Sequence, residues 1–294
     1  MKTNRILIVL STLLLSLAGC NKEYKPKQLD LNKTYDDVYL IMGQSNASGC
    51  SPYQYLESSH PEIYAKYTKG NEKVLLSYDC DEHIQKDFVS TKFGTGNTDQ
   101  FFGPEVGIAE SLNQKEETQY LIKASYSGSC LQTQYVNKNG QKLNLYNRYI
   151  KFIKGQLKSL ENQGKSPRVR GVFWMQGESD SFLLDDSDYQ KVEQYFLDYI
   201  RIDLNDWIYD YFNFVDAYIN NSLICWPEPE RINGAKQNIA SSNEHCYCIK
   251  TNGEDAEAIT LYLKNQSGEG EDVAHYDSKS MLLLGQTAGL YLQK

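Results

Sequence analysis

The sequence has no long basic run. Its 30 lysines and arginines are outnumbered by 38 aspartates and glutamates, and the formal net charge is −8. A nucleic-acid partner is therefore excluded as an expectation, because phosphate backbones are met by clustered cations. No Cys-x-x-Cys pair occurs. Cys246-Tyr247-Cys248, with His245 beside it, lacks the two-residue gap of a zinc knuckle. Neighbouring strand residues also point to opposite faces, so no metal is expected there. There is no internal repeat, and no linker-like stretch after about residue 36, which favours one domain. The run Ile6 to Leu17 falls short of the roughly 20 apolar residues that a spanning helix needs.

What is present is an ordinary globular composition. Of 294 residues, 40% are hydrophobic and 23% charged, enough chain to bury a sizeable core. Tyrosine is abundant at 23 residues, a residue suited both to wet surfaces and to stacking on sugars. The amino terminus reads as a targeting segment. Lys2 and Arg5 give a positive start, an apolar run follows, and it closes on Leu17-Ala18-Gly19-Cys20. Small residues directly before a cysteine resemble the lipobox of bacterial lipoproteins. That likeness implies cleavage before Cys20 and a lipid on Cys20. Residues 1–19 then form the signal peptide, and residues 20–35 the lipidated cysteine with a polar, lysine-rich tether. The protein is expected to be exported and held to a bacterial membrane, on its periplasmic or cell-surface face. Six cysteines remain, an even number in an oxidising compartment, and disulfides are permitted; six allow 15 pairings and the sequence does not choose.

From residue 36 to 294, strand and helix patterns alternate. Buried-strand patterns cover Val38–Met42, Val74–Tyr78, Gln119–Ala124, Val169–Met175, Phe212–Ile219 and Cys246–Lys250. Helical patterns open at Pro104 and run to Leu112, then cover Leu143–Leu160, Asp188–Trp207, Arg231–Ala240 and Ser278–Leu292. Ser51–Gly70 reads as an irregular or helical surface segment. Asp79–Phe101 has no clean period and reads as loop. The alternation predicts an α/β domain of three layers, α/β/α, around a mostly parallel sheet.

Three of the strands end in small polar turns: Gly43-Gln44-Ser45-Asn46, Ser125 to Ser129, and Gln176 to Asp180. In a parallel sheet these turns share one edge, the carboxyl edge where ligands bind. A fourth element, Asp272-Val273-Ala274-His275, precedes the last helix. A serine on such a turn exposes its hydroxyl and aims its own N–H into the same space. Ser45 is thus the candidate nucleophile, His275 its base, and Asp272 the group that orients the base. Gly128 offers a backbone N–H and Gln176 a side-chain amide to an oxyanion. Glu269, Glu271 and Asp277 are acidic neighbours of His275, and Asp272 is favoured among them by spacing. Gln44, Asn46 and Glu178 are read as bracing the site.

These blocks resemble those of the sialate O-acetylesterase-like carbohydrate esterases, a branch of the SGNH hydrolases with a flavodoxin-like architecture. Gly43-Gln44-Ser45-Asn46 matches the family's opening block, whose serine is the nucleophile. Phe102-Gly103-Pro104-Glu105 matches its Gly-Pro-Glu helix start. Lys123 through Leu131 is similar to its second block, where a glycine lends an oxyanion N–H. Trp174-Met175-Gln176-Gly177-Glu178-Ser179-Asp180 matches its third block, in which glutamine stands where other SGNH enzymes use asparagine. Asp272-Val273-Ala274-His275 matches its closing Asp-x-x-His. The likeness begins near Tyr35 and continues to the end. Two departures stand out. Ser127 and Ser129 replace a glycine and a threonine of the second block, and Val273 replaces a glycine.

The resemblance implies a serine esterase that removes O-acetyl groups from a carbohydrate through an acetyl-enzyme, with no metal or organic cofactor. Sialic acid, xylan and other acetylated glycans are open as substrates. The rival reading is a non-catalytic carbohydrate-binding lipoprotein of the same fold. A lipase is disfavoured, because the chain has no long apolar lid segment. The oligomeric state is not legible.

Overall fold

The computed structural model describes residues 24–113, 115–183, 188–253 and 256–294. The expected signal peptide and Cys20 lie outside the described residues. The expected tether is docked from Tyr24 onward. The Lys27 N–H donates to Ile208 O at 3.1 Å, and the Asp210 N–H donates to Lys27 O at 3.0 Å.

The strands in chain order are β1 (Asp36–Gly43), β2 (Ser51–Pro52), β3 (Asn71–Cys80), β4 (His83–Thr91), β5 (Phe101–Phe102), β6 (Gln119–Ser125), β7 (Pro167–Met175), β8 (Asn213–Ala217) and β9 (Cys246–Ile249). Seven form the central sheet in the order β4-β3-β6-β1-β7-β8-β9, and β2 and β5 form a small ribbon. All central pairs are parallel except β3 with β4. The antiparallel β4 corrects the loop expected over Asp79–Phe101. All but its last residue are exposed or half-buried, as suits an edge strand, and that pattern is weaker than the apolar runs of the inner strands.

The helices are α1 (Ser45–Ser48), α2 (Gln54–Ser59), α3 (Pro61–Lys69), α4 (Glu105–Leu112), α5 (Asn144–Asn162), α6 (Tyr189–Asp203), α7 (Pro229–Ser242), α8 (Lys264–Ser267) and α9 (Ser278–Leu292). Alternation within β1 divides them into two layers. Val38, Leu40 and Met42 join a core with Ile153, Phe196 and Ile232, on the α5–α6–α7 side. Tyr39 and Ile41 join a core with Leu56, Ile108 and Leu284, on the α2–α4–α9 side. The result is the expected three-layer α/β/α domain, with β1 at its centre and β1's carboxyl end in the middle of the sheet edge.

Candidate active site

The turn after β1 is forced by geometry. Gly43 has φ of +144°, and a Cβ there would sit 1.9 Å from Met175 O. The serine turn thus lies directly on the end of β7, where only glycine fits. Its carbonyl is held by Tyr135 Oη at 2.9 Å and by the Tyr126 N–H at 3.1 Å. Ser45 follows as the first residue of α1 and keeps 7% exposure.

Neighbouring residues fix that turn to the other strand ends. Gln44 Oε1 accepts from the N–H groups of Gly177 at 3.4 Å and Ser179 at 3.3 Å, and from Gln176 Nε2 at 3.2 Å. Asn46 Nδ2 donates to Glu178 Oε1 at 2.9 Å, and Asn46 Oδ1 accepts from the Tyr276 N–H at 3.4 Å. Asn46 thereby joins the serine turn, the β7 end and the residue after His275. Burial pushes the Glu178 carboxyl up, with the Asn46 contact opposing it, and Glu178 Oε2 has no hydrogen-bond partner.

His275 and Asp272 form the second half. His275 Nδ1 lies 2.7 Å from Asp272 Oδ2. Asp272 Oδ1 accepts from the N–H groups of Ala274 at 2.9 Å and His275 at 3.1 Å. Lys264 Nζ reaches Asp272 Oδ2 at 2.9 Å. Burial alone would raise the Asp272 carboxyl. Hydrogen bonds from Lys264, His275 and Ala274 outweigh it and hold the carboxyl far below the usual carboxylate range. An ionised Asp272 facing Nδ1 leaves Nε2 as the nitrogen free to take a proton. Ser45 and His275 share the same sheet edge, but their side chains make no hydrogen bond to one another among the described residues.

Gly128 sits at φ +69° with nothing within 4 Å of the place a Cβ would occupy. Its N–H and that of Ser45 have no hydrogen-bond partner among the described residues, so both are available donors. Gln176 is different. Its buried amide nitrogen donates to Asp180 Oδ2 at 2.6 Å, Ser129 O at 3.0 Å and Gln44 Oε1 at 3.2 Å. Two N–H bonds facing three protein acceptors leave none to spare for a ligand, so the side-chain donor expected of Gln176 is committed inside the protein in this arrangement. Its Oε1 is likewise held, by Tyr189 Oη at 3.0 Å.

Sequence reasoning gave no role to four residues that hold this site. Asp180, fully buried, ties Gln176 to the N–H groups of Leu131 at 2.7 Å and Gln132 at 3.2 Å. Asp81 accepts from the Ser127 N–H at 2.6 Å and from Ser127 Oγ at 2.8 Å. Arg148 Nη2 in turn donates to Asp81 O at 3.1 Å and to Asp79 Oδ1 at 2.5 Å. The serine that departs from the family block is therefore the anchor of the Gly128 turn. Lys264 is the fourth. Asp180 stood in a motif block and could have been singled out there. Asp81 and Lys264 lay in stretches without period or motif, and no local signal marked them. The six cysteines among the described residues form no disulfide. No group of three His, Cys, Asp or Glu among the described residues could hold a metal ion.

A serine on a strand-end turn, a histidine held by a carboxylate and two backbone N–H groups without partners among the described residues lie at one sheet edge of this α/β fold. The sequence from residue 35 to residue 291 matches the family model described as carbohydrate esterase, sialic acid-specific acetylesterase. The chain belongs to that family, and it is a carboxylic ester hydrolase. No curated protein matches its sequence. Solved structures share the fold at low identity. A protein from Arabidopsis thaliana aligns with a TM-score of 0.61 and 16% identity, over 89% of this chain and 99% of its own. NanS aligns with a TM-score of 0.64 and 14% identity, over 88% and 97%. A carbohydrate acetylesterase from Xanthomonas citri aligns with a TM-score of 0.56 and 14% identity, over 87% of this chain and 56% of its own.

Proposed function

We propose that this esterase removes O-acetyl groups from a carbohydrate by serine catalysis. His275 Nε2 takes the proton of Ser45 as its Oγ attacks the acetyl carbonyl. The tetrahedral oxyanion is received by the N–H groups of Ser45 and Gly128. His275 then passes its proton to the departing sugar oxygen, leaving an acetyl group on Ser45. Water activated by His275 attacks that ester, and acetate leaves. Asp272 keeps the imidazole in the correct orientation and tautomer. Gln176 braces the site through Asp180 and Ser129.

One observation carries the reading. Asn46, next to Ser45, accepts from the backbone of Tyr276, next to His275, so nucleophile and base are tied to a single bracket. Cys20 is proposed to carry the lipid anchor, with a membrane as the site of attachment; loss of membrane partitioning in Cys20→Ser tests it. The function is tested by acetate release from a panel of acetylated glycans, sialic acids and xylan included, with Ser45→Ala as control. Release by wild type and none by Ser45→Ala is expected. Equal release by both would refute the serine mechanism, and binding of glycans without release would favour the non-catalytic reading.

A further inference from the structure

We propose that Lys264 is a positioning residue of this reaction, one that fixes Asp272 and tempers the pull of its carboxylate on the His275 imidazolium; this rests on the serine reading above. Lys264 opens α8 and is grasped by the histidine turn at three points. Its Nζ lies 2.9 Å from Asp272 Oδ2, the same oxygen that His275 Nδ1 meets at 2.7 Å. Its backbone N–H donates to His275 O at 3.1 Å. The preceding residue, Leu263, forms an antiparallel bridge with Tyr276. The Lys264 side chain is 9% exposed and that of Asp272 30%, so the pair is partly sheltered from solvent on the lysine side.

In a serine–histidine–acid unit the carboxylate both orients the imidazole and stabilises the imidazolium. An ammonium on the same carboxylate oxygen separates these two effects. Four donors converge on the two oxygens of Asp272 and hold its orientation. The positive charge of Lys264 meanwhile offsets part of the field that favours imidazolium.

The other charged and titratable groups around the pair do not duplicate this role. Glu178, from the end of β7, would favour imidazolium, but burial pushes its carboxyl up toward neutrality. Glu269 accepts from Ser278 and Asp277 caps α9 through the Ser280 N–H. Cys225 donates to Val273 O, and burial pushes the Cys50 thiol up to about 12. Glu271 is exposed. Lys264 is thus the cation in direct contact with the catalytic carboxylate.

The test is the pH profile of kcat/KM on p-nitrophenyl acetate for wild type, Lys264→Gln, Lys264→Met and Lys264→Arg, with folding checked by circular dichroism. Lys264→Met keeps a side chain of similar length without the charge, should Lys264→Gln fold poorly. In both neutral variants the acid limb should move up by roughly one pH unit, as for one unit charge removed from the far side of the shared carboxylate. Lys264→Arg should return the limb toward its wild-type position. A merely structural lysine would lower the melting temperature without moving the limb. An unmoved limb in folded Lys264→Gln or Lys264→Met overturns the inference. Ser45→Ala and His275→Ala run alongside: if they keep turnover, the serine reading itself has failed, and if they are inactive while the limb stays put, only the role of Lys264 has failed.

Discussion

The buried ion pair behind the nucleophile turn gives the sharpest quantitative prediction. Lys123 of β6 and Glu105 of α4 meet at 2.9 Å with both side chains fully buried. Lys123 Nζ also donates to Ser48 O at 2.9 Å and Thr95 O at 2.5 Å. Glu105 Oε1 accepts from the Gly103 N–H at 2.8 Å and Thr95 Oγ1 at 2.9 Å. Despite burial, which opposes its charge, Lys123 is held above the usual lysine range by Cys80 and Glu105. Glu105→Gln keeps the size and most of the hydrogen bonds but removes the countercharge. The ammonium is then buried with only carbonyl dipoles for company. Breaking one side of such a pair costs about 3–5 kcal/mol. For a domain of this size that corresponds to a fall in melting temperature of roughly 6–20 °C. Urea unfolding at pH 7 and a thermal scan both read it. Lys123→Met should cost a similar amount, and it should also lower turnover, because Ser48 O in the nucleophile helix loses its tether. The double variant Glu105→Gln/Lys123→Met should recover much of the loss, giving a coupling energy of more than about 1 kcal/mol. A Glu105→Gln protein within about 1 kcal/mol of wild type, or strictly additive losses in the double variant, would refute the reasoning.

Removing Ser45 or His275 alone should cost nearly as much activity on an activated acetate ester as removing both, since they act as one unit. Asp272→Asn should cost less, because the imidazole remains. Its stability deficit should be full at neutral pH. The Asp272 carboxyl is held down in the fold, so its contribution is full above the unfolded value near 4 and is lost progressively as pH falls from there toward the lowered folded value; denaturant midpoints at pH 7 and about pH 2 check the sign. Asp81→Ala should lower kcat more than it raises KM, because the Ser127 anchor of the Gly128 turn is lost, and Ser127→Gly should add little on top of it. Gln176→Ala should lower turnover and stability together, since Asp180 and Ser129 O both lose a buried donor; calorimetry separates this from a pure oxyanion loss, which would leave stability unchanged.

The residues that carry a local signal were legible without coordinates. Apolar runs ending in Gly43, Ser125 and Met175 announce inner strands of a parallel sheet, because both faces of such strands are covered and their whole length is apolar. The strand-end turns and Asp272-Val273-Ala274-His275 follow from the same logic. The parallel crossover rule sends all of them to one edge, whatever the packing details. Edge strand β4 was missed because its solvent-facing half dilutes the pattern. The docking of Lys27 beside Ile208 was missed because a polar segment carries no period at all. What only the tertiary structure decided is who holds whom. Asp81 meets Ser127 across 46 residues, Asn46 meets Tyr276 across 230, and Lys123 buries its charge on a helix start. Lys264 shares its carboxylate oxygen with a histidine, and Gln176 spends its amide on Asp180. A single sequence records none of these pairings, since a hydrogen bond between distant segments depends on where the sheet has already brought them. Residue type and spacing determine the chemistry on offer; the fold determines which donors remain free to use it.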